Sequence, residues 1–109
     1  MAAKQPHLTV ILANDAIDQL DEIWQWNAKQ YNPTHATSYV AFLKRTIDAL
    51  DGNYAKGKRV GGRPELRYIQ IRRRTGGYTH LAVYRVDQNT VNILHVFHSS
   101  EDWENKIEE

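Results

Sequence analysis

A chain of 109 residues and 12.7 kDa, 41% apolar and 25% charged, has the size and composition of one soluble globular domain spanning residues 1–109. The absence of cysteine excludes disulfides, thiolate metal sites and cysteine nucleophiles, and fits a cytoplasmic location. No apolar run approaches the roughly 20 residues of a membrane span, and the opening from Met1 to Pro6 lacks the apolar stretch of a signal peptide. The net charge is only +1, yet it is unevenly spread: residues 56–74 carry eight Lys/Arg against Glu65 alone, while residues 101–109 carry five acids against Lys106. Such a basic middle segment suits a polyanionic partner; a solvated loop and an edge strand kept soluble by arginine would read the same.

Leu8–Leu12 is a short β-branched run and predicts a first strand. Asn14-Asp15 supplies an N-cap and an acid in the first turn of a helix whose apolar stripe is Ile17, Leu20, Trp24, Ala28 and Tyr31. Asn32-Pro33 breaks that helix and caps a second, with the stripe Ala36, Val40, Leu43, Ile47 and Leu50. Asp51-Gly52 is expected to end it, with Gly52 in the left-handed conformation. So short a link makes the two helices an antiparallel hairpin. Residues 53–65 show no apolar periodicity and read as a basic, mobile connection; Leu66–Arg72 is then a second strand, and Arg74-Thr75-Gly76-Gly77 a turn.

Tyr78–Val86 and Thr90–Phe97 read as a hairpin around Gln88-Asn89, pairing Val86 with Val91, Tyr84 with Ile93, Ala82 with His95 and His80 with Phe97. That register places His80, Ala82, Tyr84, Val91, Ile93, His95 and Phe97 on one face. Leu81, Val83, Leu94 and Val96 occupy the other, which is aliphatic at its centre and therefore assigned to the helices. The order is strand–helix–helix–strand–strand–strand: an α+β fold with a helix hairpin on one face of a mainly antiparallel four-stranded sheet.

Asp21-Glu22-Ile23-Trp24 in the first helix, Leu66-Arg67 opening the second strand, Tyr84-Arg85-Val86, and the ending His98-x-x-x-Asp102-Trp103 together resemble the RelE/ParE superfamily of small bacterial toxins, and ParE-like toxins most. The resemblance implies a toxin of a type II toxin–antitoxin system that a protein antitoxin binds and silences. ParE-like members inhibit DNA gyrase and trap its cleaved DNA complex; RelE-like members cut mRNA on the ribosome. An antitoxin-binding paralogue without toxicity is a further reading, since Ser99, Ser100 and Glu101 stand where both branches often carry cations.

Under the gyrase reading the chain has no catalytic residue and no cofactor, and His98, Asp102 and Trp103 are candidate target contacts. Trp26, Tyr84, His80, Arg67 and Arg72 are candidates for the antitoxin surface. Under the endonuclease reading, RNA cleavage without a metal needs an acid, a base and cations for the phosphorane, and Arg72, Arg85, His95 and His98 are the candidates. A structural role competes at each position: His98 as a strand-end cap bonded to Asp102, Trp24 as core, and Trp103 as a pin for the tail. Two histidines without a third donor make no metal site.

Overall fold

The computed structural model describes residues 6–74 and 78–107, so the expected turn at Thr75-Gly76-Gly77 lies outside the described residues. Strand β1 (Thr9–Leu12) leads into helix α1 (Asn14–Gln30), which doubles back through Tyr31-Asn32 into α2 (Pro33–Asp48) and the single turn α3 (Leu50–Asn53). Strands β2 (Lys58–Val60), β3 (Arg63–Arg72), β4 (Thr79–Val86) and β5 (Thr90–His98) follow, and a 3₁₀ turn at Trp103–Lys106 closes the chain. The fold class is α+β, as the sequence predicts. The sheet has five strands rather than four, in the order β1-β5-β4-β3-β2, with β1 parallel to β5 and the rest antiparallel.

The extra strand is β2, in the segment expected to be a mobile connection. Lys58 and Arg59 pair with Tyr68 and Arg67, and Val60 buries its side chain. Gly62 makes the β2–β3 turn with φ 76°, a conformation that side chains with a Cβ resist. Two of its three residues are charged, which hides a strand from any periodicity test.

Both helix stripes need adjustment, α1 more than α2. The α1 face that packs inward is Ala16, Leu20, Ile23 and Asn27, so Ile17 (49% exposed) and Tyr31 (53%) point outward. Asn27 is buried at an apolar position because its amide donates to the Ile23 carbonyl one turn back. Ala13, not Asn14, is the N-cap and makes no side-chain bond. On α2, Asn32 accepts from the His35 amide at 2.8 Å, the expected cap, and Ala36, Leu43 and Ile47 are buried with Tyr39 beside them. Gly52 does not end α2 in a left-handed conformation; it lies inside α3.

For β4 and the first half of β5 the sheet faces are the reverse of the sequence assignment, whereas Val96 and Phe97, beyond a bulge, lie on the faces expected for them. Tyr84, Ala82, Val91, Ile93 and Val96 pack with Leu20, Leu43 and Ile47 of the helices. Leu81, Val83 and Phe97 form a second cluster on the outer face, with Leu66, Val60 and the C-terminal Ile107. Val86–Val91 and Tyr84–Ile93 pair as expected, but a bulge then leaves Leu94 unpaired, so His95 faces Val83, Val96 faces Ala82 and His98 faces His80. One extra residue moves every following side chain to the opposite face.

Candidate functional site

The bulge decides which histidines share a face. His80 and His98 are cross-strand partners on the helix side, with ring centroids 5.1 Å apart. The Tyr39 hydroxyl of α2 lies 2.5 Å from His80 Nδ1 and donates to the neutral ring. Burial, reinforced by His98, pushes the pKa of His80 down to about 4; burial likewise pushes the Tyr39 phenol up to about 12. His95 goes to the other side of the strand, where its ring stacks on Phe97 at 4.8 Å and meets the Gln19 amide at 3.3 Å.

His98 is fixed by its own loop. Its Nδ1 accepts from the Ser100 amide (3.1 Å) and lies 2.6 Å from the Ser100 hydroxyl, while its backbone N–H donates to Glu101 Oε1 at 2.9 Å. The strand-end cap is thus made with Ser100 and Glu101, not with Asp102, which accepts from Asn105 instead. Partial burial would raise the pKa of Glu101, but hydrogen bonds from Lys106 and the His98 amide outweigh it and hold the carboxyl below its usual range. Trp103 leans on Tyr68 of β3 at 4.9 Å, and Ile107 enters the outer cluster, so the tail is pinned across the sheet face.

The arginines are spread out. Arg72 sits at the His80 end of the sheet with its Nε bonded to the Thr79 hydroxyl. Arg85 lies five residues along β4 from His80, roughly 16 Å at strand rise, next to Asp87. Arg67 donates to the carbonyls of Ala55 (3.3 Å) and Gly57 (2.8 Å), tying down the loop before β2. Tyr84 ties the same loop from beneath, its hydroxyl accepting from the Gly57 amide and donating to the Tyr54 carbonyl. Of the five residues expected on an antitoxin surface, Tyr84 and His80 are therefore interior. Trp26, 43% exposed, and Arg72 are on the surface, and Arg67 is half-buried.

A cleft of about 780 Å³ opens between α1 and the last residues of β5, with His80, His95, His98, Trp26, Tyr78 and Glu101 among its walls. Gln19, Tyr39, Tyr78 and Glu101 help shape this region or its supports, and sequence reasoning had singled out none of them for it. Nothing in the local pattern marks Gln19; only the bulge exposes the backbone group that it answers. Among the described residues no group of three or more His, Asp or Glu side chains could hold a metal ion, and no helix is long and apolar enough to cross a membrane.

The arrangement has known counterparts. A chain from the chromosomal ParDE toxin–antitoxin system of P. aeruginosa superposes with a TM-score of 0.71 at 19% identity, covering 84% of this chain and 96% of that one. A mutant of the E. coli toxin RelE in the free state superposes at 0.58 with 12% identity, covering 93% of each. These likenesses show a shared fold. No curated protein matches the sequence. The model of the ParE toxin of the type II toxin–antitoxin system parDE matches residues 10–103, from β1 to the first residue of the C-terminal turn; the chain belongs to the ParE toxin family.

Proposed function

We propose that this ParE-family toxin works by binding its target rather than by breaking bonds, and that the target is DNA gyrase. The carrying observation is the dispersal of the groups an RNA-cleaving site would need. The β5 bulge turns His95 and His98 to opposite faces of the strand, although both reach the cleft, and Arg85 lies at the far end of β4 from His80. Acid–base cleavage of RNA requires such groups within hydrogen-bond reach of one phosphodiester. Glu101, Asp102 and Glu104 follow the last strand and would repel a transcript, whereas a protein target can offer cations to them. His98, Asp102 and Trp103 are the target contacts in this reading, with Trp103 serving also to hold the tail.

As a toxin of a type II toxin–antitoxin system, the protein has an antitoxin as its partner. In this reading the antitoxin docks on the basic hairpin. Arg67 and Arg72 share β3, and Lys58 and Arg59 lie on the neighbouring β2, which suits an acidic segment. Purified toxin should reduce supercoiling by purified gyrase in proportion to its concentration and leave mRNA on programmed ribosomes intact. Adding the antitoxin should reverse the inhibition. If ribosomes cut the message while gyrase works normally, the endonuclease reading replaces this one, and Arg72, Arg85, His95 and His98 become the residues to substitute.

A further inference from the structure

β1 covers only the first half of the β5 edge. Its last pairing is Leu12 with Ile93, followed by one bond from the Ala13 amide to the Ile93 carbonyl. Beyond that point no strand lies against β5 on this side among the described residues. The outward backbone amides of Val96 and His98 are nonetheless answered, each by a side chain: Gln19 Oε1 of α1 lies 2.7 Å from the Val96 nitrogen, and Glu101 Oε1 lies 2.9 Å from the His98 nitrogen. Two acceptors two residues apart along a strand edge, roughly 6.6 Å, reproduce the carbonyl spacing of a neighbouring strand.

We propose that this half-edge is a strand-addition site for an extended, cationic peptide segment of a partner protein, whose carbonyls displace Gln19 and Glu101 from the two amides. The cleft of about 780 Å³ runs beside these amides, and a volume of that order accepts a short segment. Charge selects the occupant. The α1 wall presents Asp15 and Glu22, both exposed and without a cation among the described residues, whereas the only lysine in the cleft, Lys106, is already paired with Glu101 at 2.9 Å. Trp26 and Tyr78, 43% and 48% exposed and edge-to-face at 5.2 Å, offer ring faces to a lysine or arginine side chain. Backbone bonds would supply affinity, and side chains on alternate positions would supply selectivity. The preference is opposite in sign to that of the basic β2–β3 hairpin, so the two surfaces recognise different segments. The simpler role for Gln19 and Glu101 is permanent protection of an edge against aggregation, and the experiment separates the two.

The test uses the full chain, labelled with ¹⁵N, and two capped seven-residue peptides, one alternating valine with lysine and the other valine with glutamate. The lysine peptide should shift the Val96 and His98 amide resonances saturably and slow their hydrogen exchange; the glutamate peptide should do neither. Gln19→Ala removes one competitor for the edge and should tighten binding several-fold, while Asp15→Asn with Glu22→Gln should weaken it several-fold. Both substitutions of the pair are on the surface and leave the fold intact, so they decide the matter even if Gln19→Ala disturbs α1. Equal binding of the two peptides, shifts confined to another surface, or no response at the two amides would each overturn the proposal.

Discussion

His80 shows how one buried side chain writes a pH dependence into the molecule. Its folded pKa of about 4 lies below its ordinary value of 6.5, because burial disfavours the charged ring. The folded state therefore binds fewer protons than the unfolded chain between those values, and stability rises with pH across that window. The contribution is complete above pH 6.5 and is lost as pH falls toward 4, by on the order of 3 kcal/mol. Urea unfolding at pH 7.5 and 4.5 should show that loss, and His80→Phe should flatten it. A second residue-scale constraint is Gly57, where an added Cβ would collide with the Tyr84 ring and hydroxyl. Gly57→Ala should cost about 2–3 kcal/mol through displaced Tyr84 packing, and Tyr84→Phe about 1–2 kcal/mol by leaving the Gly57 amide unsatisfied. Thermal unfolding measures both.

At the scale of elements, α2 is the better-read helix, and its central side chain should matter most. Leu43 is fully buried, and Leu43→Ala should destabilise by about 2–5 kcal/mol in chemical denaturation. Trp24, expected from its spacing to be core, instead lies half-buried outside the main cluster and donates its indole N–H to Thr37 at 3.1 Å. Trp24→Phe should therefore cost only about 1 kcal/mol, the worth of one hydrogen bond. What was legible in the sequence follows the same logic. Period, cap and breaker signals are local, so α2, the Asn32 cap and the start of the β4–β5 pairing could be read directly. The α1 stripe was misplaced because Asn27 is a polar residue on the inner face and Ile17 an apolar one on the outer face. The bulge at Leu94 changed the grouping of the histidines, whereas the helices took the face carrying Tyr84, Ala82 and Ile93 because it too is largely apolar, which left the purely aliphatic face outermost. The candidate site was correspondingly less legible than the fold: Tyr84 and His80 look like surface residues only when the helices are assigned to the other sheet face.

At the scale of the whole molecule, the acidic tail holds the sheet face and, in the proposed reading, also meets the target, two roles that mutation can separate. Trp103 and Ile107 cover the outer face of the sheet, so deleting residues 99–109 would uncover Val60, Leu66 and Phe97 and weaken the fold. Loss of activity in that deletion would say nothing about target contact. Charge reversal is cleaner: Asp102 and Glu104 are exposed, and replacing both with lysine should leave the melting temperature nearly unchanged. It should weaken gyrase inhibition at least about tenfold, or 1.4 kcal/mol, read from supercoiling titrations.

The parallel pairing of β1 with β5 has a consequence for when the molecule comes into being. Thr9 waits for Thr90 and Leu12 for Ile93, and Leu20 of α1 packs in the same cluster as Val91 and Val96. Contacts of such long sequence separation form late and slowly. A growing chain has made both helices long before the strand that anchors them exists, so the earlier elements have no sheet centre to close upon. The helices thereby stay without their sheet partner until residues 90–98 have been made, so the chain spends the earlier part of its synthesis with the apolar faces of α1 and α2 unpacked.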